Sequence, residues 1–243
     1  MEDPSLYGWR NRNDLLKERD HTLTGLMLLS IGVAMAWIPY ISTIGSLLAL
    51  LGIIFVGLGR HAFGEPHHRN VLWGGALFLF VLVASFVLSL MVASTLLSDI
   101  TGFSTSTASV TAAVQSSLYD LYVGGAVLGT LGALAYLLLS YGLADLTTKR
   151  LLWVAFFVYI LVAALVAAFL IPQFGTAIAA ALQSNPPNTA SINALQQDAY
   201  LYGMMGAIPD LLFAYAIWRA RAQAQHLPLG RSRSGDELPA WRA

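Results

Sequence analysis

TLTGLMLLSIGVAMAWIPYISTIGSLLALLGIIFVGL, residues 22–58, is apolar almost without interruption. As a single helix it would reach about 55 Å at roughly 1.5 Å per residue, nearly twice a hydrocarbon core about 30 Å thick. The stretch therefore has to turn back. Pro39, with Tyr40, Ser42 and Thr43 beside it, is the place to do so, because proline removes a helical donor and these neighbours suit a turn. Two short spans result, at 22–37 and 42–58. The flanking charges demand the same arrangement. Arg19 precedes the stretch and Arg60 follows it, and a single crossing would leave one of these basic groups on the wrong side of a membrane.

The remaining charges extend the rule. All 13 Lys and Arg residues fall in four segments: Arg10 to Arg19, Arg60 with Arg69, Lys149 with Arg150, and Arg219 to Arg242. The connections around 38–41, 98–118 and 174–199 carry none. Cytoplasmic loops collect Lys and Arg, so the first set is expected inside and the second outside. Further spans are read at 71–97, 119–141, 151–172 and 200–218. Trp73, Trp153 and Trp218 fall at the inner ends, and Trp37, Tyr119, Tyr122, Tyr200 and Tyr202 at the outer ends, where amphipathic rings anchor at the interface. The expected fold class is all-α: a polytopic membrane protein with six transmembrane helices arranged as three helical hairpins, both termini cytoplasmic. Residues 1–21 are expected to form a cytoplasmic amphipathic segment, with Leu6, Tyr7, Trp9, Leu15 and Leu16 set among charges, 22–218 the membrane domain, and 219–243 a basic cytoplasmic tail. The external loops are rich in small polar residues, and the segment 177–182 is read either as a short interfacial helix or as a prolongation of its span.

Composition agrees with a bilayer as solvent: 57% of the residues are hydrophobic and 11% charged, far below the roughly 25% charged content of soluble domains. The 13 basic and 13 acidic residues leave no net charge, so no nucleic-acid partner is expected. With no cysteine in the chain, disulfides, thiolate metal sites and iron-sulfur clusters are excluded. The charged N-terminal segment has no short apolar run ending in a small-residue cleavage site, so no cleaved signal peptide is expected.

The last four spans repeat with a period near 80 residues. Arg69-Asn70-Val71-Leu72-Trp73 reads like Lys149-Arg150-Leu151-Leu152-Trp153, and Tyr119 with Gly125-Ala126-Val127 reads like Tyr200 with Gly206-Ala207-Ile208. Gly45, Ala49 and Gly52 fall on Gly125, Gly129 and Gly132 in the same register. Three successive hairpins, the first lacking the long external loop, would produce this pattern, and so would helices that resemble one another only through a shared Leu, Ala, Val and Gly composition. The glycines have a packing role in either case. Lipid tails are as apolar as leucine, so helices associate where small residues let backbones approach. Gly125, Gly129 and Ala133 form such a stripe at intervals of four, and Gly45, Gly52 and Gly59 recur every seven, as do Gly25 and Gly32. A bundle seam and a homo-oligomeric interface are both open to them.

One residue breaks the apolar pattern. Asp210 lies near the middle of the sixth span, where an acidic side chain costs about 2.5–3.5 kcal/mol on insertion-based scales. No Lys, Arg or His lies inside a span to neutralise it. Burial without a cation favours the neutral acid, which needs a hydrogen-bond partner, and Thr130, Ser85 and Ser89 are candidates at comparable depth. Pro209 leaves the Met205 carbonyl without its helical donor. A broken helix beside a carboxyl suits an ion or proton site, with Asp210, Thr130 and Ser85 as its residues; a structural hydrogen bond between helices suits the same residues. His61, Glu65, His67 and His68 cluster in the first cytoplasmic loop, but their spacing fits no zinc pattern and a solvated turn is expected.

Several chemistries lack their residues. With no histidine inside a span there is no bis-histidine haem site, and no intramembrane lysine could form a Schiff base. Gly-x-x-x-x-Gly-Lys-Ser/Thr, His-Glu-x-x-His and Gly-x-Ser-x-Gly are absent from the chain, so phosphate-loop, zincin and serine-hydrolase mechanisms lack their signatures. No enzyme activity, cofactor or metal is expected. The segment from Thr24-Gly25 through Gly59-Arg60, followed by His67-His68-Arg69 and the Trp73 helix, resembles small archaeal and bacterial multi-pass membrane proteins of unknown function. That resemblance covers roughly the first 100 residues and implies a prokaryotic cell-membrane location but no activity. The expected function is an accessory or scaffold component that packs with itself or a larger membrane complex, its constant partner the lipid bilayer. A small permease or proton-coupled channel using Asp210 is the alternative.

Overall fold

A computed structural model describes residues 12–38, 41–102, 107–183 and 190–229, and among them every regular element is a helix. In chain order these are α1 (Arg12–Ala36), α2 (Ser42–Leu58), α3 (Glu65–Gly102), α4 (Thr107–Tyr141), α5 (Leu146–Gln183) and α6 (Ala190–Ala224). Pro39 and Tyr40 lie outside the described residues, but α1 ends and α2 begins on either side of them, and Ser42 N–H donates to the Ile38 carbonyl at 2.9 Å. Of the expected N-terminal segment, residues 1–11 lie outside the description, and the rest runs without a break into the apolar part of α1. Helix α5 continues to Gln183, so residues 177–182 prolong it. The tail beyond 229 and the loop segments 103–106 and 184–189 lie outside the description.

Three helices, α3, α4 and α5, are long and apolar enough to cross a membrane, while α2 is apolar but has 17 residues. The apolar run of α3 starts at Val71, after the polar turns of residues 65–70.

Helices α1 and α2 pack antiparallel, as do α3 and α4. The seam of α1 and α2 is backbone against backbone: a Cβ on Gly25 would stand 2.6 Å from the Gly52 carbonyl oxygen, and one on Gly32 2.5 Å from that of Gly45. The same contacts read from α2 place a Cβ of Gly52 2.6 Å from Leu29 N and one of Gly45 2.8 Å from the Gly32 oxygen. Two glycines seven residues apart on each helix thus interlock, because seven residues is two turns and returns to one face. Helix α4 meets α3 less closely, Gly74 against Leu139 and Gly124 against Leu88.

Helix α1 lies between α2 and α6, α6 on α5, α5 on α4 and α4 on α3. Two hydrogen bonds tie α1 to α6: Ser30 Oγ donates to the Ala214 carbonyl at 2.9 Å, and Arg221 Nε to that of Leu23 at 3.1 Å. Arg19 also donates to the Gln225 carbonyl. The fully buried side chains include Leu26, Val56, Leu137, Leu152 and Phe213. Outward faces are equally apolar: Phe80, Phe86 and Met91 of α3 and Phe157 and Leu161 of α5 are exposed. Such a surface on a helix long enough to span a bilayer is what a lipid-facing wall requires.

Candidate functional site

Helix α6 carries Pro209 and Asp210 in its middle, facing α4 and α5. Asp210 lies close enough to the phenols of Tyr136 on α4 and Tyr159 on α5 for each to sense its charge. One turn further along, Phe213 is buried and meets the Tyr136 ring edge to face, with centroids 6.5 Å apart. Pro209 is also buried. An acidic group on α6 thus lies within electrostatic range of one phenol on α4 and one on α5.

Two of the three expected partners, Thr130 and Ser89, have hydroxyls engaged on their own helices. Thr130 Oγ1 donates to the Ala126 carbonyl of its own helix at 2.8 Å, and the Ser85 carbonyl accepts from Ser89 Oγ at 2.9 Å on α3. Among the described residues no hydrogen bond joins either of them to Asp210. The tyrosines are what a reading by residue type passed over. Tyr159 stands eight residues from the start of the span read at 151–172 and Asp210 eight from the end of that read at 200–218, so equal depth was available as a signal. Which face Tyr159 presents was not.

The small stripe on α4 divides its work. Gly129 receives the Tyr159 hydroxyl, which occupies the space a side chain would need. Ala133 is buried in the core. Gly125, expected to pack closely, instead has nothing among the described residues within 4 Å of where its Cβ would be, and Gly206 on α6 is the same. Both line a cavity of about 470 Å³ among α4, α5 and α6. On α5 the wall is Tyr159, Ala163 and Val166, spaced to share one helix face. Pro209 lines the cavity beside Asp210, and apart from Tyr122 and Tyr159 its side chains are aliphatic.

The histidine loop differs from the expected solvated turn. His67 is 1% exposed, with its ring edge to face on Phe63 at 5.6 Å and the turn at Gly142 pressed on its backbone. Among the described residues neither ring nitrogen has a hydrogen-bond partner. His67 precedes the apolar run of α3, and burial together with the charge of His68 lowers its pKa to about 4. His61 and His68 stack at 4.3 Å. Among the described residues no group of three or more His, Asp and Glu is placed to hold a metal ion.

Across the same end of the bundle, Asp145 caps α5. Its Oδ1 accepts from the Thr148 amide at 2.7 Å, and its own amide donates to Gln223 Oε1 at 2.8 Å. Burial pushes this carboxyl upward, but hydrogen bonds from Thr148 and Gln223 and the charge of Arg219 outweigh it and hold it below its ordinary value. No family model, curated protein or solved structure matches the chain.

Proposed function

We propose that the chain is a non-enzymatic, multi-pass protein of a prokaryotic cell membrane, crossing six times as three hairpins rooted in the cytoplasm. On this reading it serves as an accessory or scaffold component that associates through helix packing. The observation that carries the proposal is the surrounding of Asp210. A carboxyl that binds and releases an ion in the membrane needs polar, water-reachable walls, whereas the cavity reaching its turn is walled mainly by Val, Ala, Leu and Gly. Helix α2, with 17 residues, would extend about 26 Å at 1.5 Å per residue, so the first hairpin crosses by thinning the bilayer locally.

The grouping of Asp210 with Tyr136 and Tyr159 favours the alternative, a proton-coupled permease, because two phenols beside a carboxyl can pass a proton. Proton flux into liposomes carrying wild type or Asp210→Asn separates the two. The scaffold reading expects no flux above empty liposomes from either; a flux that Asp210→Asn abolishes would replace it by the permease. For topology, the absence of native cysteine allows single cysteines at Gly64, Asn188 and Ser232 to be probed with an impermeant thiol reagent. Labelling of intact cells at Asn188 alone is expected.

A further inference from the structure

The cavity among α4, α5 and α6 plays no part in helix packing, and its chemistry is specific enough to name an occupant. We propose that it binds one acyl tail of a bilayer phospholipid, an inference that rests on reading these helices as membrane spans. Water is a poor occupant, because a buried water needs two to four polar partners and the walls, apart from two tyrosines, are aliphatic. The cavity is open on one side, with Gly125 exposed, so what fills it comes from the surrounding medium, which around membrane spans is lipid.

The walls are shaped for a chain. From Tyr159 to Ala167 the α5 face runs for about 12 Å along the helix axis at 1.5 Å per residue, giving a slot of about 470 Å³ that follows the axis. Gly125 and Gly206 open it from α4 and α6, where an added Cβ would have no atom of the described residues within 4 Å. The slot ends at Tyr159 and Pro209, beside Asp210, so the methyl end of a tail would stop at the polar group. A phospholipid tail is long and wholly apolar, and it is the most abundant group of that kind inside a bilayer.

Full-length protein in liposomes of phosphatidylcholine bearing a mid-chain diazirine, irradiated and mapped by peptide mass spectrometry, tests this directly. Wild type should show adducts at Ala126, Ala163 or Val166 in the cavity and at Phe86 or Leu90 on the exposed face of α3. Gly125→Leu with Gly206→Leu should lose the cavity adducts and keep those on α3. Ala163→Phe, which fills the slot from α5, should do the same and serves if the double variant does not fold. Labelling of α3 without the cavity in wild type, or cavity adducts unchanged by filling, overturns the tail site. Absence of labelling on α3 as well overturns the membrane reading, and the tail site with it.

Discussion

Replacing Gly52 by alanine tests whether the α1–α2 seam is a backbone contact. The new Cβ would lie 2.6 Å from Leu29 N and 2.7 Å from the Gly25 oxygen, where ordinary contact begins at 3.4 Å. Main-chain atoms have no rotamer to escape into, so the helices must part by about 0.8 Å, the difference between 3.4 and 2.6 Å. A gap of that size forfeits a quarter to a half of each dispersion contact it opens, and the interlocked pairs at Gly25, Gly32 and Gly45 feel it too. Overpacking typically costs about 1–3 kcal/mol; with backbone on the far side we expect the upper part of that range, about 2–3 kcal/mol. That is a 30- to 150-fold loss in the folded ratio, at roughly 1.4 kcal/mol per tenfold. Gly57→Ala is the control in the same helix, since nothing lies within 4 Å of its Cβ and the lower chain entropy of alanine should stabilise by about 0.5–1 kcal/mol. Equilibrium unfolding in mixed dodecylmaltoside and SDS micelles, read by tryptophan fluorescence, measures both. Equal shifts for the two variants would show that the glycines do not make the seam.

Three further outcomes follow from the polar contacts. His67 is held at about pH 4 when folded, against 6.5 in its unperturbed state, so the unfolded chain binds the extra proton between these values. Stability should therefore fall as pH drops from about 6.5 to 4, by about 3 kcal/mol at most on a scale of 1.36 kcal/mol per unit, and His67→Leu should flatten melting temperature across that window. Asp145 works in the same sense but in the carboxylate range, its contribution present above its unfolded value and lost as pH falls below it; Asp145→Ala, which removes the cap of α5, should cost about 1 kcal/mol in the same unfolding assay. Ser30→Ala deletes the hydrogen bond to Ala214 and should cost about 0.6–1.7 kcal/mol, the range for such bonds between membrane helices.

Hydropathy and charge are properties of short stretches, which is why helix content, the reversal near Pro39 and the basic turns could be read from residue order. Gly25, Gly32, Gly45 and Gly52 were likewise legible, because a seven-residue interval places small residues on one face whatever that face meets. Asp210 stood out as the one acid in an apolar run, yet its neighbours Tyr136 and Tyr159 did not, since contact between helices leaves no spacing in the sequence. Gly125 and Gly129 illustrate the limit most directly: two glycines one turn apart, one opening a cavity and the other seating a phenol.

Residue order alone determined that the chain folds as apolar helices with a tight reversal between the first two and basic groups at alternate ends. Only the tertiary structure decided which side of each helix is core. Phe86 is 63% exposed and Phe213 1%, although both lie in apolar stretches of their helices. Where the solvent is as greasy as the interior, no polar face marks the outside, so the arrangement of whole helices must choose.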